Sequence, residues 1–208
     1  MNNTDSLIFD LDGTLWDTTE VAAKIWQEIA GDYPQTNTKV DKAKLRSLYG
    51  LPLKDISHAL FTDIPEKLAE EIVSRCVVEQ CPYLEKHGAI LMGDIEGVFK
   101  KLSEKYRLFI ISNCEDGYIQ SFLKAYDLSS LITDFDCPGM SGFLKADNIK
   151  RMVKKHGLKS PVYVGDTKGD MEAAKEAGVS FAFAAYGFGS ASEYDYRLNE
   201  VADLLKLF

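Results

Sequence analysis

Apolar positions recur along this chain at two different periods, and the change from one to the other divides it. Leu7-Ile8-Phe9 is a short, partly β-branched apolar run closed by Asp10, Asp12 and the turn residue Gly13, the pattern of a central strand in a sheet covered on both faces. Over residues 20–30, Val21, Ile25 and Ile29 recur at the spacing of one helix face. Helical patterning then continues as far as Lys86, with Leu68, Ile72 and Cys76 in one row and no strand signature between. Beyond Gly88 the two periods alternate. Ile95, Val98, Phe99 and Leu102 form a helix face, RLFIIS a strand, and Ile119, Phe122, Leu123 and Tyr126 another helix face. A weaker strand follows near residues 131–135, then strong ones at PVYVGD and VSFAFAA, and a last amphipathic segment, NEVADLLKLF. Strands alternating with helices imply a parallel sheet. The expected architecture is an α/β domain with a doubly wound parallel sheet, built from residues 1–15 and 87–208, into which an α-helical domain of residues 16–86 is inserted.

At 208 residues and 46% hydrophobic content the chain suffices for one such domain with an insertion, and it carries no internal repeat. Its 24 basic and 32 acidic residues leave a formal charge of -8, and no basic stripe interleaved with aromatics is present, which argues against nucleic acid as a partner. Cys76, Cys81, Cys114 and Cys137 make no CxxC pair and no zinc-type spacing, so they read as reduced thiols of a cytoplasmic protein. The first residues lack a basic n-region. The longest uncharged stretch, residues 177–192, is broken by glycines and serines and is too short to span a bilayer, so a soluble protein without a membrane partner is expected. A monomer or a homodimer is expected.

Three strongly apolar strands end in small polar groups: Asp10 and Asp12 after the first, Ser112 and Asn113 after LFII, Gly165 and Asp166 after VYV. In an open parallel sheet such ends meet at a crevice where the strand order reverses. A helix cap accounts for any one of them, but not for a doubled acid. Residues i and i+2 of a strand point the same way, so Asp10 and Asp12 confront each other unless a proton or a cation is shared. A phosphoryl substrate suits this set. An aspartate can attack phosphorus, a second carboxyl within reach can serve as acid and then base, and a hard divalent cation offsets carboxylates and phosphate together. That reading makes Asp10 the nucleophile, Asp12 the proton carrier and Mg2+ the cofactor. Ser112 would donate to phosphate oxygens and Lys145 act on them as a point charge.

FDLDGT at residues 9–14 resembles the first motif of the haloacid dehalogenase-like (HAD) hydrolases, SN at Ser112 and Asn113 their second, Lys145 their third and VGDTKGD at residues 164–170 their fourth. The continuation MEAAKEAG and the early helical insertion resemble the phosphoglycolate phosphatase-like branch with its small helical cap. The resemblance implies a Rossmann-like core and a Mg2+-dependent phosphoric monoester hydrolase working through an aspartyl phosphate on Asp10, with Asp12 as acid/base and, through its backbone carbonyl, a metal ligand. It further implies that Asp166 ligates Mg2+, that Asp170 supports the ion's outer shell, and that Ser112, Asn113 and Lys145 hold the phosphate of a small phosphorylated metabolite. Ala146 follows Lys145 where many relatives have proline, which leaves Lys150 and Lys154 as rivals. Lys145 is preferred because the row Ile149, Val153, His156 puts it at the start of its helix, toward the strand ends. Asp12 speaks against a dehalogenase. Ala22 stands where related sugar-phosphate mutases carry a histidine, which weighs against a phosphomutase. The long insertion weighs against a phospho-accepting or regulatory module without turnover.

GFGSAS, residues 187–192, follows the last strong strand and lacks the third glycine of a nucleotide fingerprint, so it reads as a loop. His58, His87 and His156 have no partners at ligand spacing. In RSLYGLPLKD, residues 46–55, Gly50 and Pro52 break the helical pattern, and a loop there would bring Arg46, Tyr49 and Lys54 over the site as candidate substrate contacts. Trp16, just past the acidic turn, is either a core residue or a further pocket candidate.

Overall fold

A computed structural model describes residues 3–208. Strand β1 (Ser6–Phe9) is buried along its whole length, and the two-residue β2 (Trp16–Asp17) follows it. Four helices come next, α1 (Thr19–Gly31), α2 (Lys42–Leu48), α3 (Leu53–Leu60) and α4 (Glu66–His87), and then a second short strand, β3 (Ile90–Leu91). The remainder runs α5 (Ile95–Ser103), β4 (Arg107–Ile111), α6 (Tyr118–Ala125), β5 (Asp134–Asp136), α7 (Pro138–Ser141), α8 (Lys145–His156), β6 (Pro161–Gly165), α9 (Lys168–Ala177), β7 (Ser180–Ala184), β8 (Tyr196–Leu198) and α10 (Leu204–Leu207).

Six strands form one sheet in the order β5-β4-β1-β6-β7-β8, with every neighbouring pair parallel. The chain builds outward from β1 on one side, crosses back, and builds outward on the other, so the order reverses beside β1, as in doubly wound folds. The two-residue period of β1 serves both faces. Leu7 and Phe9 join Leu108, Ile110, Val162 and Val164 under α5 and α6, while Ile8 joins Phe109, Ile111 and Tyr163 under α8 and α9. Register brings the strand ends level. Phe9 lies opposite Ile110 of β4 and Val164 of β6, so Asp10, Ser112 and Asp166 follow at one edge.

A third apolar cluster lies among the four inserted helices, drawing Trp26 and Ile29 from α1, Leu45 from α2, Ile56 and Leu60 from α3, and Ile72, Val73 and Cys76 from α4. Further along α4, Leu84 packs instead into the cluster beneath the sheet. The buried face of α1 differs from the expected row. Ala22, Trp26, Ile29 and Ala30 are buried while Val21 and Ile25 are only partly so, because Trp26 is drawn inward and its indole Nε1–H donates to Gln80 Oε1 at 2.8 Å. Both chain crossings between sheet and helices run through one ribbon: β2 pairs antiparallel with β3, Trp16 opposite Leu91 and Asp17 opposite Ile90. The helical patterning concealed this pair. The weak strand expected near residues 131–135 is β5, shifted to Asp134–Asp136 behind a 3-10 turn, Ser129–Leu131, and it is an acidic edge strand. The final segment is a short 3-10 turn and α10, held by Val201 and Leu204. Among the described residues no helix is long and apolar enough to cross a membrane.

Candidate active site

The site begins where β1 stops. The backbone N–H of Asp10 still donates to Val164 O at 2.8 Å, so its carboxyl is carried on the sheet itself, and the residue is 1% exposed. Gly13 then turns the chain with φ of 80° beside Asp166. A Cβ at this position would stand 2.4 Å from Asp166 Oδ2, so both the left-handed backbone and the close approach require glycine. Asp12, partly buried, accepts from Tyr118 OH at 2.9 Å and from Thr18 Oγ1 at 3.2 Å. Thr18 Oγ1 also lies 2.8 Å from Tyr118 OH and 3.3 Å from Tyr49 OH. Burial, then the neighbouring charge of Asp10, pushes the Asp12 carboxyl up to about 8, so it holds a proton at neutral pH.

Asp166, at the end of β6, is gripped by the segment that reads as a mere loop in the sequence. The N–H groups of Phe188 and Gly189 donate to its Oδ2 at 2.6 and 3.3 Å, and Thr14 Oγ1 to its Oδ1 at 3.3 Å. Asp170 sits in the first turn of α9, where its Oδ2 accepts from the backbone of Asp166 and Thr167 and from Thr167 Oγ1, at 3.1, 2.9 and 2.7 Å. Lys145 is the first residue of α8, 4% exposed, and its Nζ donates to Asp10 Oδ1 at 2.8 Å and to Asp170 Oδ1 at 2.6 Å. Burial opposes its charge, yet Asp10 and Asp170 together hold the ammonium well above its ordinary range. Lys150 instead pairs with Asp147 and Glu176 at the surface, and Lys154 is exposed. Ser112 is buried and lines the same cavity as Asp10.

Carboxylate oxygens of Asp10, Asp166 and Asp170 lie within 4.8 Å of one another. With Asp12 beside them, several buried acids face one ammonium, and burial, followed by mutual repulsion in the case of Asp166, raises the carboxyls of Asp10 and Asp166. An all-oxygen set with surplus negative charge is the donor chemistry a hard divalent cation takes. The three histidines are elsewhere, with His58 on Glu70, His156 on Asp134 and His87 against the ring of Tyr83.

Beside Asp10 and Asp12 opens a narrow cavity of about 40 Å³. Ser112, Asn113, Glu115 and Tyr118 line it from the sheet side, and Trp26, Tyr49, Leu53, Ile56, Val77 and Gln80 from the inserted helices. Asn113 reaches across: its Nδ2 donates to Gly50 O at 3.0 Å, and its Oδ1 is buried without a partner. Of the expected cap contacts, Tyr49 lines the cavity and three others do not. Trp16 is fully buried in the ribbon, its ring edge-on to Tyr118 and Phe122, where the core needs a large apolar side chain. Arg46 is turned to Asp17 Oδ2 at 3.2 Å and Gly187 O at 3.3 Å, its guanidinium 4.1 Å above the Phe188 ring, because two acceptors and a π-face draw it away from the cavity. Lys54 points outward to Glu70 at 3.5 Å. The sequence does not single out Thr18, Tyr118 or Gln80, and it marks the Phe188 segment as a loop without a part in the site, the small residues of GFG being the one local signal for it.

Comparison with known proteins agrees with the geometry. Residues 7–184 match the family described as Haloacid dehalogenase-like hydrolase. A phosphoglycolate phosphatase of Aquifex aeolicus (strain VF5) is 28% identical over 214 residues, covering 97% of this chain and 95% of that protein. Among solved structures, a haloacid dehalogenase-like family hydrolase from Streptococcus pneumoniae superposes with a TM-score of 0.84 at 22% identity, covering 100% of both chains. A protein described as a predicted phosphoglycolate phosphatase from Haemophilus somnus 129PT gives 0.85 at 20% identity, covering 100% of this chain and 99% of the other. At those identities the two structures speak for the fold alone.

Proposed function

This chain belongs to the haloacid dehalogenase-like hydrolases, and from that premise we propose that it is a Mg2+-dependent phosphatase that cleaves a small phosphomonoester through an aspartyl phosphate on Asp10. The observation that carries the reading is the placement of Asp10: a buried carboxylate at the strand-order reversal, open to a cavity, with a protonated Asp12 two residues on and the Lys145 ammonium at 2.8 Å. In the first step Asp10 attacks phosphorus, the bond to the leaving oxygen breaks, and Asp12 gives that oxygen its proton. In the second, Asp12, now ionised, takes a proton from water as the water oxygen attacks the phosphorus. Inorganic phosphate leaves and the Asp10 carboxylate is restored. Ser112 and Lys145 steady the phosphoryl oxygens. Asp10, Asp166 and the carbonyl of Asp12 would hold Mg2+, with Asp170 behind them, and the ion supplies positive charge against phosphate and carboxylates together.

Residues 16–86 act as a cap in this reading, since six cavity-lining side chains come from them and a closed cap meters water. Hydrolysis is favoured over phosphoryl return to a sugar because Ala22 is buried and brings no acid or base to the cavity. The test is phosphate release from a panel of phosphorylated metabolites with Mg2+, native protein against Asp10→Asn. Asp10→Asn is expected to fall to background; retention of about a tenth of native turnover is too much for a missing nucleophile and would overturn the assignment.

A further inference from the structure

We infer that the leaving group of the substrate is a compact, uncharged alcohol carrying a second hydroxyl, and that esters bearing a carboxylate, phosphoglycolate among them, are discriminated against. This rests on the phosphatase reading above and narrows it. Size comes first. The cavity beside Asp10 is narrow, about 40 Å³, and walled by Trp26, Tyr49, Leu53 and Ile56, which favours a compact leaving group.

Charge comes second. The ionisable acids that line the cavity are Asp10, Asp12 and Glu115, and among the described residues no lysine, arginine or histidine lines it. Lys145 is engaged by Asp10 and Asp170, Arg46 by Asp17 and Gly187, and Lys54 by Glu70. A carboxylate placed against Leu53, Ile56 and Val77 would be buried with no lysine, arginine or histidine in the lining to pair with it and with the acid Glu115 in the same wall, at a cost a neutral group does not meet.

Hydrogen-bond polarity comes third. The indole of Trp26 can only donate, so the oxygen of Gln80 must face it, and the amide NH2 of Gln80 is left as the donor of that side chain. The carbonyl of Gly50 can only accept, so the nitrogen of Asn113 must face it, and Oδ1 is the orphaned acceptor. A hydroxyl both accepts and donates and can answer the two amides. A carboxylate only accepts, and leaves Asn113 Oδ1 unpaired.

The experiment uses the full chain with Mg2+ and compares kcat/KM for 2-hydroxyethyl phosphate, ethyl phosphate and 2-phosphoglycolate, with acetyl phosphate as a compact activated control. The hydroxyethyl ester is expected to exceed both others by about tenfold or more. Gln80→Lys, which sets a cation in the wall, is expected to raise 2-phosphoglycolate relative to the hydroxyethyl ester by a similar factor; the native series decides alone if that variant does not fold. Phosphoglycolate turned over as well as the hydroxyethyl ester, with acetyl phosphate active, overturns this inference and leaves the phosphatase reading standing. Absence of phosphate release from all four overturns both.

Discussion

Asp12 owes its orientation to hydroxyls distant in sequence, Thr18 six residues on and Tyr118 a hundred and six residues on. Asp12→Ala is expected to slow hydrolysis of unactivated esters by about 10²- to 10⁴-fold, the usual contribution of a positioned acid/base group. Acetyl phosphate, whose leaving group needs little protonation, should still phosphorylate Asp10, so phosphoenzyme should accumulate in a quench assay. Equal loss on both substrates would assign Asp12 to metal binding alone. At this scale the sequence was legible where chemistry and periodicity coincide. Asp10, Asp166 and Ser112 announce themselves because each ends an apolar run, and Lys145 because the helix row beneath it fixes its end of α8. Thr18, Tyr118 and Gln80 carry no such mark; Thr18 is a polar residue ahead of α1 and the other two sit on amphipathic helices until packing sets Thr18 against Asp12, and Tyr118 and Gln80 at the cavity.

The last turn of α2 and the segment after β7 are joined by one side chain. Arg46 binds Asp17 and the Gly187 carbonyl and covers Phe188, whose own N–H holds Asp166. Arg46→Ala is therefore expected to lower kcat/KM by about tenfold for ordinary esters and acetyl phosphate alike, because the contact serves closure and not the leaving group. A loss confined to one substrate would return Arg46 to specificity. On the sheet's edge, Asp134 of β5 meets Lys155 and His156 at 2.7 Å. Burial works to raise its carboxyl, but Lys155 and His156 outweigh it and hold the pKa below 3.8. A carboxyl lowered on folding adds stability above its unfolded pKa and loses it as pH falls through the folded one. Asp134→Asn should thus cost about 0.5 kcal/mol in urea melts at neutral pH, given how far solvent screens the pair, and nothing below the folded pKa. The elements missed in the sequence are short ones. The two-residue strands of the ribbon and the three-residue β8 are too brief for any period to show, and only their partners make them strands.

For the molecule as a whole, the unbalanced acids at the reversal of strand order should tie stability to a cation. Adding Mg2+ at about a hundred times its Kd should stabilise the fold by about 2.7 kcal/mol, seen as a rise in Tm, and chelation should abolish turnover until Mg2+ is restored. Ca2+ should bind and stabilise yet inhibit, since its longer bonds and higher coordination number misfit an octahedral site. Full activity after exhaustive chelation would sink the proposed mechanism. The sheet order follows from the alternation of strand and helix, but the seating of the inserted helices on the sheet does not, because it depends on cross-chain contacts such as Asn113 with Gly50. Thr18 stands one residue beyond the ribbon and touches Asp12, Tyr49 and Tyr118 at once. The insertion therefore cannot swing outward without pulling Thr18 and Tyr49 from that cluster. On the proposed mechanism the ribbon would thus serve as an interlock: with the insertion ajar Asp10 would keep its place while Asp12 lost one of its two hydroxyl partners, so a phosphoryl group that arrived early would wait until the door was shut.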